Sequence, residues 1–335
     1  MIKKLIFFLT FTLTVCTLFS QGGDVKQLQE TAKAFTRQGD YVNANLILTR
    51  ALQQDPNNIQ LTKDLALNYY LQKDNVKALE TIRPLIDGDN GDDQSFQIAG
   101  NIYKAMDQLK ECEKMYKRGI KKIPNSGALY SEYGELLASM QDAGAIRQWE
   151  KGIEMDPGFS GNYYNASRYY AMTNDKIWTI IYAEIFLNIE TSSSRTAEIK
   201  NVLLDSYKKL FSDIDLTKNS KDKNAFEQAF LQSMNKQSAV AAHGINPESL
   251  TMIRVRFILD WFENYASKFP LRLFDYQHQL LQQGMFDAYN QWIFGAAQNL
   301  VAYQTWTGLH PAEYNEFSNF QKGRVFKIPA SQYYH

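Results

Sequence analysis

The chain has 335 residues, 44% of them hydrophobic, which is enough for one long or two ordinary globular cores. Its 36 basic residues balance its 36 acidic ones. That balance argues against a general nucleic-acid binder, which would carry a marked basic excess.

Residues 1–20 read as a secretory signal. Lys3 and Lys4 form the positive start, and "LIFFLTFTLTVCTLF" forms the apolar core. The run is too short for a comfortable membrane span and no charged stop follows it. Cleavage after Ser20 would leave Gln21 as the new N-terminus; a retained anchor is the alternative. Cys16 stands in a poor version of the bacterial lipid-attachment box, because Val15 occupies the place that prefers a small residue. Lipidation of Cys16 is therefore the less favoured reading. With the signal removed only Cys112 remains, so no disulfide can form within the chain. Without its two lysines the mature chain has 34 basic residues against 36 acidic. The localisation expected is export, to the periplasm or cell envelope, with secretion as the alternative.

From Val25 to about Thr191 one pattern recurs five times with a period of about 34 residues. The first copy carries Ala32, Phe35, Gly39, Tyr41, Ala44, Leu48, Ala51 and Pro56. The second shows Ala66, Tyr69, Ala78 and Ile82, with Asn90 in place of the proline. The third has Gly100, Tyr103, Cys112, Tyr116 and Pro124. The fourth, one residue short, has Gly134, Leu137, Ala145, Trp149 and Pro157. The fifth and most degenerate has Ala166, Tyr170, Thr179, Ala183 and Thr191. Small residues let two helices approach closely and large ones fill the space beside them. Gly39 and the segment 72–75 supply turns, and the prolines end the second helix of a unit. One unit cannot bury its apolar face alone, so the units must stack.

This pattern resembles the tetratricopeptide repeat family over about half the chain, although the family's leading Trp is absent and Leu28, Phe96, Tyr130 and Tyr163 stand near its place. The resemblance implies an all-α fold, a right-handed superhelical stack of helical hairpins. The domains expected are a signal at 1–20, a repeat array at 21–194, and a helical C-terminal region at 195–335. It also implies a groove lined by the first helix of each unit, where an extended peptide binds. Projected onto this chain, the groove takes Lys26, Lys33 and Arg37, then Lys63 and Tyr70, Asn101 and Lys104, Glu135, and Tyr164 and Arg168. That set is net basic, and a basic groove would attract an acidic segment or a C-terminal carboxylate. A solvated helix face is the plainer reading of the same lysines. The carboxylate-clamping pattern known in the family does not match position by position.

In the C-terminal region, Ser and Thr residues near 192–196 cap a helix. Residues 212–224 read as an exposed polar loop, and 225–242 resume a helical period through Phe226, Phe230 and Met234. Gly244 and Asn246-Pro247-Glu248 mark the end of one helix and the start of the next. The helix over 248–267 is apolar almost all round, so it should be a buried core helix ended by Pro270. Residues 271–303 read as a sixth, diverged hairpin with Gly284 at its turn and Tyr289 where a small residue is expected. Past His310-Pro311 the tail reads as irregular and aromatic, and is expected to wrap back as a cap.

Catalytic motifs are lacking. There is no HExxH, CxxC, GxSxG or phosphate-cradling glycine loop. His278, His310 and Glu313 make a weak metal candidate, and Asn165-Ala166-Ser167 matches a glycosylation triplet. The expectation is a non-enzymatic interaction scaffold for a protein or peptide, active in envelope assembly or secretion. It needs no cofactor and no catalytic residue, binds no nucleic acid, and meets the membrane only if lipidated or through a partner. The alternative is a carbohydrate binder that uses Tyr276, Phe286, Tyr289, Trp292, Phe294, Tyr303 and Trp306.

Overall fold

The computed structural model describes residues 24–335 except 214 and 219. The expected signal at 1–20, with Cys16, lies outside the described residues. The described residues form helices and no strands. They divide into two compact units, one up to Pro84 and one from Leu85 onward.

The first unit holds α1 (Val25–Arg37), α2 (Tyr41–Gln54), α3 (Ile59–Leu71) and the start of α4 (Asn75–Asp87). The division falls inside α4, where Pro84 removes a helical hydrogen bond. Asp24, Asp40 and Asn58 cap α1, α2 and α3 through side-chain oxygens that accept backbone N–H groups. Leu28, Ala32, Leu48, Ala51, Leu61 and Leu65 form the core.

The second unit continues with α5 (Asp93–Ala105), α6 (Leu109–Lys122), α7 (Gly127–Ser139), α8 (Ala145–Met155), α9 (Ser160–Ala171) and α10 (Lys176–Ile189). The first helices of the five hairpins thus begin at 25, 59, 93, 127 and 160. The missing residue of the fourth copy is visible in that last interval.

The hairpin turns share one backbone device. Gly39, Lys73, Asp107 and Gln141, one in each of the first four copies, all take positive φ, at 78°, 66°, 56° and 59°. Each donates its N–H to the carbonyl three residues back, and the next residue donates to the carbonyl five back, as in Asp40 to Phe35 and Asp142 to Leu137. This is the Schellman closure, which satisfies carbonyls that a helix end would leave unpaired. Only the first copy uses glycine there; the other three hold side chains in the left-handed region at a steric cost.

Close packing between paired helices depends on glycine. A methyl on Gly134 would overlap the Trp149 indole, and one on Gly100 would overlap the Tyr116 hydroxyl. Cys112 is fully buried beside Gly100, with Sγ 3.7 Å from the Gly100 carbonyl. Burial pushes its thiol up to about 12, so it is an unreactive packed thiol at neutral pH.

Beyond the array come α11 (Ser194–Leu210), α12 (Ala225–Asn235), α13 (Ser238–Ala241), α14 (Pro247–Asn264), α15 (Arg272–Gln282) and α16 (Phe286–Asn290). A π-helical turn (Gln291–Gly295), α17 (Ala296–Gln298), α18 (Leu300–Leu309) and α19 (Pro311–Lys322) complete the unit. The Gly284 turn between α15 and α16 repeats the Schellman closure, with φ of 73° and bonds from Gly284 to Leu281 and from Met285 to Leu280. The diverged hairpin therefore keeps the turn of the array. It does not run to 303: Asn299 is extended and caps α18 instead. The tail expected to be irregular from 311 is helical to Lys322, with Pro311 in the first turn, where its missing N–H costs nothing. The loop at 212–224 is mostly exposed but buries Leu216.

The helix read as apolar all round contains Arg254, which is 1% exposed. Its guanidinium pairs with Glu184 of α10, also 1% exposed, and with the Asn290 side-chain carbonyl. Gln277 and the Tyr289 hydroxyl each donate to the same Glu184 oxygen at 2.7 Å, and Asn188 donates to the Tyr289 oxygen. Phe286, Tyr289 and Phe294 surround the guanidinium at 5.2–5.3 Å. This cluster joins α10, α14, α15 and α16. The nearby π turn places Lys200 of α11 against the Trp292 carbonyl at 2.6 Å, with its Nζ 4.2 Å from the indole ring. Burial lowers the Lys200 ammonium to about 8.

Gly134→Ala should lower stability by about 1–2 kcal/mol in denaturant melts, because overpacking outweighs the roughly 1 kcal/mol gained in helix propensity. Arg254→Met should cost about 3–5 kcal/mol, and adding Glu184→Leu should recover part of the loss, since a lone buried charge is worse than none. Additive losses in the double variant would exclude the coupling.

Candidate functional site

The first helices of the array supply the groove residues expected from the sequence, and each unit carries its own set. In the first unit Lys33 bridges Glu30 at 2.9 Å, and Arg37 is exposed nearby. With Thr36, Asp64, Leu67 and Asn68 they line a shallow cavity of about 200 Å³. Tyr70 is half-buried. Lys63 departs from expectation: it is 5% exposed, within the packed face of α3 rather than on a groove. Its aliphatic stem suits such a position, and periodicity alone could not tell it from the exposed lysines.

In the second unit, Asn101 is half-buried and Lys104 bridges Glu132 at 3.1 Å. Arg168 bridges Glu198 at 2.8 Å, and the Tyr164 hydroxyl donates to the same carboxylate at 2.7 Å. The guanidinium groups of Arg168 and Arg195 lie 5.2 and 4.7 Å from the Tyr164 ring. The basic residues of this face are thus interleaved with carboxylates, which offsets the basic bias seen when the first helices are read alone. Glu135 accepts from Asn165 at 2.9 Å. Asn165 is buried inside α9, so the glycosylation triplet offers no accessible amide in the folded chain.

The same face carries an open cleft of about 600 Å³ between α7, α8, α9 and α11. Ala138, Ala145, Trp149, Tyr169, Met172 and Val202 give it apolar walls, while Gln141, Asn165 and Arg168 supply polar groups. Met172 is 82% exposed, so a flexible thioether stands free at the lip. Of these, only Arg168 was assigned to the groove from the sequence. Trp149 lies on a second helix, and Met172 lies past the end of α9. The signal that could have found the site is an apolar residue in a turn, where polar residues are the rule.

A larger cavity of about 1060 Å³ lies beside the α9–α10 turn and the 212–216 loop. Its charges answer one another: Lys223 bridges Asp175 at 2.7 Å and Glu227 at 3.2 Å, and Lys176 donates to the Ala171 and Thr173 carbonyls. The smaller cleft is the better receptor, because its walls are mostly apolar and Met172 at its lip is exposed.

The aromatic residues considered for sugar stacking are mostly core. Tyr276, Phe286, Tyr289, Trp292 and Phe294 are buried, and Trp306 stacks on His310 at 4.6 Å. His278 instead stacks on Phe262 at 4.0 Å. Among the described residues, no group of three or more His, Cys, Asp or Glu side chains is arranged to hold a metal ion.

Lys63→Glu should lower the melting temperature by several degrees or more, because it buries a new charge of opposite sign. Lys33→Glu should change stability by less than about 1 kcal/mol, since its ion pair is exposed. Equal effects of the two changes would contradict the placement of Lys63.

A model of the tetratricopeptide repeat family matches residues 35–102. No curated protein matches the chain. Among solved structures, MamA is similar over 50% of this chain and 92% of its own, with 21% identity and a TM-score of 0.39. A thermophilic tetratricopeptide repeat protein of Thermus thermophilus is similar over 54% of this chain and 100% of its own, at 13% identity and 0.44. A tetratricopeptide repeat protein of Parabacteroides merdae is similar over 78% and 98%, at 14% identity and 0.41. The helical hairpins agree with that match: residues 35–102 carry tetratricopeptide repeats, and the hairpins that follow continue the same pattern.

Proposed function

We propose that this protein is an exported, non-enzymatic scaffold that binds an extended segment of a partner protein in a bacterial envelope. The observation that carries the reading is the cleft of the fourth and fifth hairpins. Trp149 and Tyr169 give it an apolar floor, Met172 stands exposed at its lip, and Gln141 and Arg168 lie within reach of a bound backbone or side chain. Apolar walls with a few polar groups suit the capture of one or two hydrophobic side chains along a peptide. The pairing of Lys104 and Arg168 with carboxylates favours an apolar occupant over the acidic one that the first helices alone suggest. Export is supported by the lysine-led apolar segment at 1–20.

Partner recovery from envelope extracts tests the binding site. A Tyr169→Ala, Met172→Asp double variant should reduce recovery of a specific partner at least about tenfold, since losing an apolar anchor costs about 1–3 kcal/mol. It should do so with unchanged helical content. Unchanged recovery would remove this cleft as the site. The mass of the mature N-terminus tests export: a chain beginning at Gln21 is expected, and an uncleaved Met1 would refute processing.

A further inference from the structure

The segment after α19 runs as a strap over the face of the fourth and fifth hairpins that includes α8, α10 and the neighbouring α12. Its anchors are side chains. The Phe326 ring meets Tyr276 at 5.5 Å, and Ile328 is buried. Tyr334 stacks on Phe226 at 4.7 Å with the rings nearly parallel. The Tyr334 hydroxyl donates to the Pro270 carbonyl at 2.6 Å, and the Tyr334 carbonyl accepts from Asn224 at 2.9 Å. The Gln332 side-chain carbonyl accepts from the Arg272 backbone at 2.6 Å. At the far end His335 reaches Glu150 at 2.9 Å and the Tyr170 hydroxyl at 2.8 Å, edge-on to Trp178 at 4.8 Å.

Two features set this strap apart from an ordinary structural element. Its described backbone–backbone bonds are local, Arg324 to Gln321 and Gln332 to Pro329, so no such bond ties it to the body. Its last five residues are half-buried or exposed. The surface beneath is the reverse: Ile153, Tyr163, Trp178, Tyr182, Phe226 and Leu271 present an apolar trough to the strap, and the Tyr170 hydroxyl donates to Glu150 where His335 meets both. An apolar trough that receives an extended chain through its side chains has the character of a peptide receptor.

We propose that this trough is a second peptide-binding site, filled in cis by residues 324–335 and open to a partner segment of the same chemistry when the strap lifts. The matching segment is extended, with an aliphatic residue followed by adjacent aromatic residues and an imidazole or other donor for Glu150. The trough's lining shares no residue with the cleft of the proposed scaffold function, and the trough site stands whether or not that cleft binds a partner. The tether gives the cis segment an effective concentration on the order of millimolar, so the strap masks the site until its anchors are weakened or outcompeted.

The test uses the full chain and a fluorescent peptide of residues 324–335, followed by anisotropy. The peptide should bind the unaltered chain weakly and saturably. It should bind a Tyr334→Ala, His335→Ala chain about tenfold more tightly, because the cis competitor has lost an aromatic stack and the imidazole contacts to Glu150 and Tyr170. A peptide carrying the same two changes should bind both chains more weakly. Circular dichroism of the altered chain should match the unaltered one. Absence of binding to either chain, equal binding to both, or loss of helical signal in the altered chain would each overturn the proposal, the last because a releasable strap leaves the body folded.

Discussion

A carboxylate and a guanidinium, both withdrawn from water, set the terms for the second unit. Glu184 belongs to the last hairpin of the array, and Arg254 belongs to a helix 70 residues further along. Either charge alone in that place would carry a desolvation cost of several kcal/mol. Each therefore needs the other, and the two need Gln277, Tyr289 and Asn290 around them. Helices α10, α14, α15 and α16 meet at this one point. Tyr289 looked like a misfit when its hairpin was compared with the array, where a small residue belongs. Its hydroxyl bonds Glu184, so the departure from the repeat pattern is the means by which the last hairpin joins the C-terminal helices.

The array itself rests on two local devices used repeatedly. Schellman turns close the hairpins about every 34 residues, and glycine or alanine lets paired helices come close enough for Trp149 or Tyr116 to fill the gap. Residues of α7, α8, α9 and α11 border the cleft at Trp149 and Met172, and residues of α8, α9, α10 and α12 lie beneath the strap. The chain's own C-terminal segment occupies the trough, whereas the cleft is open. That difference underlies the two proposed roles, the cleft for a partner protein and the trough under internal control.

Much of this was legible in the sequence. The five hairpins, their packing anchors and the shortened fourth copy follow from a period that local turn and packing chemistry imposes, so they can be read one residue at a time. The Gly284 turn could be read for the same reason. The helix from Pro311 to Lys322 was missed because its aromatic residues follow no clear apolar stripe: only Phe317 on it is buried. Lys63 was misplaced because the register assigns a helix face without saying how deeply that face is packed. The cleft was found only through Arg168, since Trp149 and Met172 come from a neighbouring helix and a turn.

Order along the chain was enough to define the hairpins, their turns and the close approaches between paired helices, because each depends on residues within about one repeat of one another. Folding in three dimensions settled the rest: which charges are buried together, which aromatic rings are core, and where the tail lies. Glu184 meets Arg254, and His335 meets Glu150 and Tyr170, across separations that no local period encodes. A buried charge looks like any other charge in a sequence, and its cost and its partner exist only once the chain has brought the two together.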